Sequence, residues 1–305
     1  MSNWTFFKRM TRLFSVTVMI VPVVLGTITA YAFDKEFNFL LFLLTLVGAV
    51  SAHIFSNMVN DLWDYRNGTD TEAAETEGAI STNSGFLTTG TMSEKKFAVI
   101  TWGFLVLAAV CGLILTIVSG WPILVLALVG ALIAYFYVAP PIKFGYRGKG
   151  YSEIGIFISF GVLPVLGAYY VQTGEFAIAP LLLSLPVGML TTMLLFNHHF
   201  LHWRADREIG KKTLVVMWGE ERALRLSKIM TVLAYVLLIV SVVFGALPVY
   251  GLLAVVSVIP MYKVYKSLGK VNPSEAYLPL MGASQQSSVL CGLIMCIGLL
   301  IQGMA

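Results

Sequence analysis

The sequence predicts an all-α, polytopic membrane protein with nine transmembrane helices. Of its 305 residues, 58% are hydrophobic and only 12% are charged, and the mean hydropathy is +0.83. Soluble domains average about 25% charged residues. Because a bilayer core about 30 Å thick needs roughly 20 apolar residues per helix, the chain length mostly reflects the number of spans. We expect a single membrane domain over residues 1–305.

Nine apolar runs of membrane length follow one another along the chain. They are predicted at 13–33, 38–60, 97–118, 121–139, 152–172, 178–202, 226–244, 247–266 and 286–303. The basic residues Lys8, Arg9 and Arg12 precede the first run. That run is too long for the apolar core of a signal peptide, so we expect it to be retained as the first helix.

The distribution of Lys and Arg predicts the topology. If the N-terminus is cytoplasmic, 19 of the 20 Lys and Arg residues lie on the cytoplasmic side, and Lys35 lies on the other. This asymmetry follows the positive-inside rule and puts the long polar loops in the cytoplasm. The same rule accounts for the net charge of +4, so we expect no nucleic-acid partner. The predicted location is a bacterial or archaeal cell membrane.

The first acidic segment, residues 57–70, follows the second apolar run. Asn57, Asp61 and Asp64 share one face if the second helix continues that far, and Asp70 follows on the next loop. Carboxylates near hydrocarbon cost about 2.5–3.5 kcal/mol each on insertion scales, so they mark functional-site candidates. Carboxylates and amides suit Mg²⁺, which prefers oxygen ligands. A solvated helix end is the alternative, but this spacing favours a metal site.

The second acidic segment, residues 197–208, lies at the end of the sixth apolar run. Within it, His198, His202 and Asp206 recur every four residues. Three basic residues follow at the same mouth: Arg207, Lys211 and Lys212. Such cations hold anionic ligands through charge-assisted hydrogen bonds. The positive-inside rule alone also explains them, so both interpretations stay open at this point.

Two further polar segments lie on the same predicted side. In residues 135–150, Lys143 and Arg147 are placed to reach a leaving diphosphate. The tyrosines of that segment suit the lining of a cavity, although an interfacial aromatic belt with snorkelling cations explains the same pattern. The loop 78–90 is small, polar and rich in glycine. This composition is typical of a lid that closes over a site, and equally of a surface loop that tolerates sequence changes.

Taken together, these segments resemble the UbiA superfamily of intramembrane prenyltransferases. The similarity covers most of the chain and includes two Asp-rich motifs after the second and sixth helices. Three segments are most similar to the 1,4-dihydroxy-2-naphthoate prenyltransferase branch of menaquinone synthesis, namely 60–71, 145–173 and 206–214. The resemblance implies nine helices around a central cavity, covered by cytoplasmic cap loops.

The resemblance also implies Mg²⁺-dependent transfer of a polyprenyl group from an allylic diphosphate to an aromatic acceptor, with 1,4-dihydroxy-2-naphthoate expected. Membrane lipid is the third expected partner. The implied metal ligands, direct or through water, are Asp61, Asp64, Asp70 and Asp206. The implied catalytic cations, which neutralise the leaving diphosphate, are Lys143, Arg147 and Lys211. The predicted substrate-binding residues are Asn57, Asn60, Arg66, Tyr146, Asn197, His202 and Arg207.

One position departs from the family pattern. Four residues before Asp206, where the family commonly carries Asp, this chain has His202. The substitution weakens the case for a second tightly held Mg²⁺. It also leaves open another UbiA-type acceptor, such as hydroxybenzoate, haem, chlorophyllide or a lipid glycerol.

Two functions outside the superfamily stay open as well. The cluster His198, His199 and His202 partly matches a membrane di-iron oxygenase, but those enzymes usually need several such clusters and this chain has four histidines. Intramembrane carboxylates also occur in transporters. A transporter predicts inverted repeats and helices broken at mid-membrane, whereas these carboxylates cluster at one face.

Overall fold

The computed structural model describes residues 2–76, 80 and 82–305, and the regular structure of that part is helical. Polar or Gly-containing turns separate the apolar helices, as expected where the backbone leaves the membrane. In chain order the helices are α1 (Asn3–Met10), α2 (Leu13–Asp34), α3 (Phe39–Arg66), α4 (Thr69–Glu75), α5 (Glu94–Ser119), α6 (Pro122–Phe136), α7 (Tyr151–Thr173), α8 (Ile178–Leu201), α9 (Trp203–Glu208), α10 (Leu214–Trp218), α11 (Glu220–Val243), α12 (Val249–Ser267) and α13 (Ser274–Met304).

Eight of the described helices are long and apolar enough to cross a membrane. They are α2, α3, α5, α7, α8, α11, α12 and α13. The fourth predicted span corresponds to α6, an apolar helix of 15 residues. The all-α membrane class predicted from the sequence is therefore confirmed.

Several helices extend beyond the apolar runs that predict them. Helix α3 continues through its acidic residues to Arg66 and ends before Gly68, whose φ of 79° is left-handed. Such a φ is readily adopted by glycine, so the helix stops there. The helical backbone hydrogen bonds continue past the apolar run as far as Arg66, because a change from apolar to polar side chains does not by itself end a helix. The first acidic segment is consequently carried on a rigid helix.

Small residues allow the central helices to pack closely. At Gly161 on α7, an added Cβ atom would lie 2.6 Å from the Cα of Gly188 on α8. Close backbone approach at small residues is typical of helix packing in membranes. The largest apolar cluster joins α2, α7 and α8 to the three C-terminal spans, and includes Leu25, Val187 and Met295.

A cap of short helices and loops covers one end of the bundle. Helix α4 packs against α9. The amide of Ile80 donates to the Leu201 carbonyl at 2.9 Å, and the amide of Lys212 donates to the Tyr146 carbonyl at 2.9 Å. These contacts join the loop after α4 to the end of α8, and the loop after α6 to the loop after α9. The cap therefore brings together the polar segments that the sequence separates.

Candidate active site

A cavity of about 40 Å³ lies beneath the cap, where the polar ends of α3 and α8 meet. Both acidic segments contribute side chains to its wall, and so do the residues before α2 and the loop after α4. The lining residues are Arg12, Asn60, Asp64, Thr69, Asp70, Thr82, Asn83, Tyr137, Leu195, His198, His199, His202, Asp206 and Lys211. Segments distant in sequence thus form one polar site at the edge of the apolar core.

The first acidic segment supplies Asn60, Asp64 and Asp70 to the cavity. Asp64 is buried and accepts a hydrogen bond from the Tyr146 hydroxyl, which also contacts Thr69 Oγ1 at 2.7 Å. Asn60 Oδ1 is buried and has no hydrogen-bond partner in the described part of the chain. The cavity wall therefore contains an acceptor oxygen that the fold itself does not satisfy.

Asp61 points away from the cavity lining toward Arg12. The two side chains form an ion pair, and Asp61 Oδ2 also accepts from the Ser84 amide at 2.9 Å. One turn earlier, Asn57 Nδ2 donates to Ser15 Oγ at 3.1 Å. Asn57 and Asp61 thus face the start of α2, and Arg12 rather than Asp61 lines the cavity.

The second acidic segment does not form one continuous helix. The last turn of α8 is a 3₁₀ turn over His199–Leu201, and α9 begins at Trp203. His202 lies at this break and still lines the cavity together with Asp206. The side-chain direction predicted from the four-residue spacing is retained although the helix is interrupted.

Asp206 is the most buried carboxylate of the site, with 1% of its surface exposed. Lys211 Nζ lies 3.4 Å from its Oδ1. Neither carboxylate oxygen has a hydrogen-bond partner among the residues that the structure describes. Buried carboxylates are costly without such partners, so this group points to a ligand that the protein chain does not provide.

The electrostatics of the cavity favour a cation. Burial, reinforced by Asp64 and Asp61, raises the pKa of Asp70 to about 7. Burial alone would lower the pKa of Lys211, but the carboxylates of Asp206 and Asp64 outweigh it and raise that pKa. Burial also lowers the pKa of His202, against the influence of Asp206. A divalent cation would relieve the mutual repulsion of these carboxylates.

The donor set fits such a cation. Asn60 Oδ1 and both oxygens of Asp206 are buried acceptors without partners, and Asp64 and Asp70 lie in the same wall. Within the described ranges, no three His, Cys, Asp or Glu side chains are grouped closely enough to hold one ion. Water or phosphate oxygens would complete the shell, which is the usual arrangement for Mg²⁺.

Tyr146 is placed between two of the predicted catalytic cations. Lys211 Nζ lies 4.9 Å and Lys143 Nζ 5.8 Å from its ring centroid. Lys143 also donates to Asn67 Oδ1 at 2.6 Å. Lys211 lines the cavity directly, whereas Lys143 lies behind Tyr146 and contacts the end of α3.

The other predicted residues lie outside the cavity lining. Arg147 is exposed and donates to the Ile142 carbonyl at 2.6 Å, and Arg66 donates to Glu94 at 2.7 Å on the surface. Arg207 is also exposed. Asn197 is fully buried, where it donates to Ser284 Oγ at 2.8 Å and accepts from Ser227 Oγ at 2.7 Å. These two bonds join α8 to α13 and α11.

Described residues of the loop after α4 form part of the cavity wall. Of its predicted lid, residues 78, 79 and 81 lie outside the described residues. In the described part, Thr82 hydrogen-bonds His198 Nε2, Asn83 lines the cavity, and Ser84 contacts Asp61. This loop therefore connects the first acidic segment to the second.

Sequence reasoning missed two charged residues, one that lines the cavity and one that lies beside it. Arg12 was assigned only a role in topology, yet it pairs with Asp61 and lines the cavity. Glu153, in the first turn of α7, is buried with 8% of its surface exposed. A carboxylate inside an otherwise apolar predicted span was the signal that could have identified it.

Comparisons with known proteins agree with this architecture. The UbiA prenyltransferase family model matches residues 19–284. A 1,4-dihydroxy-2-naphthoate octaprenyltransferase from Bacillus subtilis (strain 168) is 26% identical over 96% of this chain and 91% of its own length. A 2-carboxy-1,4-naphthoquinone phytyltransferase from Synechocystis sp. is 27% identical over 84% of this chain and 80% of its own length.

Solved structures share the fold at lower identity. A UbiA homolog from Archaeoglobus fulgidus bound to GPP and Mg²⁺ is 16% identical, with a TM-score of 0.64 over 95% of this chain and 99% of that one. The apo structure of a UbiA homolog from Aeropyrum pernix K1 is 15% identical, with a TM-score of 0.67 over 93% and 97%. On the match over residues 19–284, this chain belongs to the UbiA prenyltransferase family and is a prenyltransferase.

Proposed function

We propose that this enzyme transfers a polyprenyl group from an allylic diphosphate to a hydroxylated aromatic acceptor, with 1,4-dihydroxy-2-naphthoate as the acceptor and Mg²⁺ as the metal. The observation that carries the proposal is the meeting of Asp64, Asp70, Asp206 and Lys211 in one buried cavity. The names of the Bacillus and Synechocystis relatives support a naphthalene-type acceptor. The Mg²⁺ in the Archaeoglobus homolog supports the choice of metal.

The carboxylate end of the cavity is where the diphosphate would bind. Asn60, Asp64, Asp70 and Asp206 would hold Mg²⁺ in part through water, together with Asp61 once its pairing with Arg12 is exchanged. When bound, Mg²⁺ supplies positive charge that stabilises the departing diphosphate. Lys211 and Arg12, which both line the cavity, would donate hydrogen bonds to the diphosphate oxygens.

The less polar part of the cavity wall suits the allylic carbon and the acceptor. Tyr137 and Leu195 line the cavity, and Leu195 lies one turn deeper in α8 than His199. An allylic cation is stabilised over aromatic faces and must be kept from water, because hydrolysis competes with transfer. The helices on this side provide a dry environment for the reacting carbon.

The cavity is too small for both substrates at once. Its volume of about 40 Å³ is far below the roughly 300–1,000 Å³ of typical ligand sites. The contacts of Thr82 and Ser84 with the two acidic segments hold the described part of the loop after α4 beside it. We propose that substrate binding displaces the described residues 82–84 of this loop, which would then act as a lid.

The proposed topology has nine crossings with the cap in the cytoplasm. In it, α6 is the fourth crossing, and its 15 residues are joined to α5 by a turn of only a few residues. The concentration of Lys and Arg on the cap side supports the cytoplasmic assignment. The prenyl tail would then lie among the helices while the diphosphate binds beneath the cap.

The test is prenyl transfer by purified protein in nanodiscs. We would supply a labelled allylic diphosphate, Mg²⁺ and a panel of acceptors that includes 1,4-dihydroxy-2-naphthoate and 4-hydroxybenzoate, with and without EDTA. We expect product with the naphthoate, and its loss in EDTA. Product with a different acceptor would overturn the naphthoate assignment, and transfer at full rate in EDTA would overturn the metal.

A further inference from the structure

Glu153 is a buried carboxylate to which the proposed transfer assigns no role. It lies in the first turn of α7, and its Oε1 atom has no hydrogen-bond partner in the described structure. Ionisable groups in membrane helices are costly and as a rule face a partner or a functional cavity. The group that Glu153 faces therefore indicates what it does.

The facing group is His199. Its Nδ1 lies 3.9 Å from Glu153 Oε1, and this nitrogen also lacks a hydrogen-bond partner within the described residues. The separation exceeds the 2.7–3.2 Å of a formed hydrogen bond. His199 has 2% of its surface exposed and lines the cavity, whereas Glu153 lies behind it. Because Nδ1 is turned toward Glu153, the Nε2 edge of the ring lies on the opposite side.

The position of His199 suits contact with the acceptor. The carboxylates that would hold the diphosphate lie at the cap end, and Leu195 lies one helical turn deeper. The reacting carbons must approach within roughly 3–3.5 Å, so the acceptor ring has to lie beside the first prenyl carbon. Its hydroxyl group would then lie against the part of the wall that contains His199.

We propose that His199, oriented by Glu153, accepts the hydroxyl proton of the aromatic acceptor during prenyl transfer; this inference rests on the proposed function. His199 is then a catalytic residue because it touches the substrate. Glu153 is a positioning residue, which fixes the imidazole and stabilises its protonated form. A carboxylate beside one ring nitrogen, with the other nitrogen toward the substrate, is a recurrent arrangement for a histidine base.

The step balances without a further reactant. The allylic C–O bond breaks and its electron pair leaves with the diphosphate, while the ring carbon beside the hydroxyl forms the new C–C bond. The hydroxyl proton passes to His199 Nε2 and the oxygen becomes a carbonyl. The alkylated carbon then loses its proton to the released diphosphate, or its carboxylate as CO₂, the electron pair restores the aromatic ring, and the oxygen takes back the proton from His199.

The experiment compares four variants with the wild-type enzyme: Glu153→Gln, Glu153→Asp, His199→Gln and the control Glu175→Gln. Glu175 is an exposed glutamate just beyond the other end of α7. We expect His199→Gln to lower kcat for the naphthoate by about 100-fold or more. Glu153→Gln should lower it by about 10-fold to 100-fold, as expected if the carboxylate closes to a hydrogen bond with the imidazole only when that ring is protonated during transfer. Glu153→Asp should recover part of the rate.

Two readouts separate this role from a structural one. The KM for the prenyl diphosphate should stay at the wild-type value in all four variants, because the diphosphate end of the cavity is intact. An acceptor whose reacting hydroxyl is replaced by a methyl ether should react slowly with the wild-type enzyme, and His199→Gln should slow it no further. The reaction of the methyl ether with the wild-type enzyme needs no variant. It therefore tests the inference even if Glu153→Gln does not fold.

Wild-type rates in His199→Gln, or full reactivity of the methyl ether, would overturn the inference. An equal loss of prenyl-diphosphate affinity in Glu153→Gln and His199→Gln would also overturn it, because that result would indicate general disruption of the site. If the wild-type enzyme transfers prenyl groups and these variants do as well, the proposed function stands and only this inference fails. No wild-type transfer to any acceptor would remove both.

Discussion

At the scale of single residues, Asp61 is both a candidate metal ligand and the ion-pair partner of Arg12, so it contributes to the stability of the fold. Asp61 is 3% exposed, and Arg12 is its ion-pair partner. Asp61→Ala leaves a largely buried guanidinium without that partner, a loss that costs roughly 3 kcal/mol in comparable pairs. We expect the variant to insert but to unfold at lower temperature and to transfer no prenyl groups, as measured by thermal unfolding in detergent and by product formation.

The double variant Arg12→Met with Asp61→Ala is the matched control for that prediction. It removes both charges, so thermal stability should return toward the wild-type value while transfer stays absent. An Asp61→Ala protein as stable as the wild type would show that the ion pair contributes little. Near-normal turnover would remove Asp61 from the set of metal ligands.

His202 is the residue at which the chain departs from the pattern of its family. It lines the cavity together with Asp206, burial lowers its pKa, and its side chain is an imidazole where a carboxylate is common in the family. His202→Asp would add an oxygen ligand of the type that Mg²⁺ prefers. We expect a several-fold lower Mg²⁺ concentration for half-maximal transfer, measured by titration of the metal. Complete loss of transfer in a folded His202→Asp protein would instead assign His202 a chemical role of its own.

The sequence allowed only part of the site to be predicted. Asp64, Asp70 and Asp206 were predicted to bind the metal, and Lys211 was predicted to neutralise the leaving diphosphate. All four side chains line one cavity. Asn197 adjoins His198 in sequence, but neighbouring residues on a helix point about 100° apart, and Asn197 faces α11 and α13. Whether a side chain near a site faces it depends on helix rotation, which a composition pattern does not determine.

At the scale of elements, close contact between α7 and α8 positions Glu153 and His199 on adjacent helices. Gly161 and Gly188 allow these backbones to touch, and an added methyl group at Gly161 has no space. We expect Gly161→Ala to separate the helices and lower both thermal stability and transfer. The free energy of unfolding should fall by about 1–3 kcal/mol, as in other overpacked cores, and thermal unfolding measures this loss.

Gly103→Ala is the control for that helix-contact prediction. Gly103 lies in α5, and no heavy atom in the described structure lies within 4 Å of a Cβ added there. Replacing an unconfined helical glycine by alanine stabilises a helix by roughly 0.5–1 kcal/mol. Equal stability losses at both glycines would contradict the assignment of a specific contact to Gly161.

Helix existence was easier to predict than helix boundaries. Long apolar runs mark the spans because a membrane requires them, but the break of α8 at His202 has no Pro or Gly signal in the sequence. Asn57, Asp61 and Asp64 were expected to share a face if the helix continued that far. Helix α3 does extend to Arg66, but of these three side chains only Asp64 lines the cavity. Local breaks of this kind depend on the tertiary contacts around them.

At the scale of the whole molecule, the short helix α6 decides the topology. If α6 crosses the membrane, the nine crossings place the two termini on opposite sides. We expect a C-terminal alkaline-phosphatase fusion in a bacterial host to be active and a C-terminal fluorescent-protein fusion to be dark. The reverse result would mean that α6 does not cross, and would move the C-terminus to the cap side.

The way in which the helices pack against one another could not be predicted from the sequence. Charge asymmetry placed both acidic segments on one side, which is a necessary condition for a shared site. It did not show that α3 and α8 meet there, nor that the N-terminal Arg12 reaches the cavity. Those contacts arise from the order in which the helices pack, and the apolar runs carry little information about that order.

The most direct test of the shared cavity is prenyl transfer to 1,4-dihydroxy-2-naphthoate by the variant Asp206→Asn. Asp206 is almost fully buried with unsatisfied oxygens, whereas Glu208, two residues later, is exposed. We predict that Asp206→Asn loses transfer by about 100-fold or more, in line with the loss of one preorganised group at a charged transition state, while the control Glu208→Gln keeps wild-type activity. Wild-type turnover by a folded Asp206→Asn protein would contradict the account.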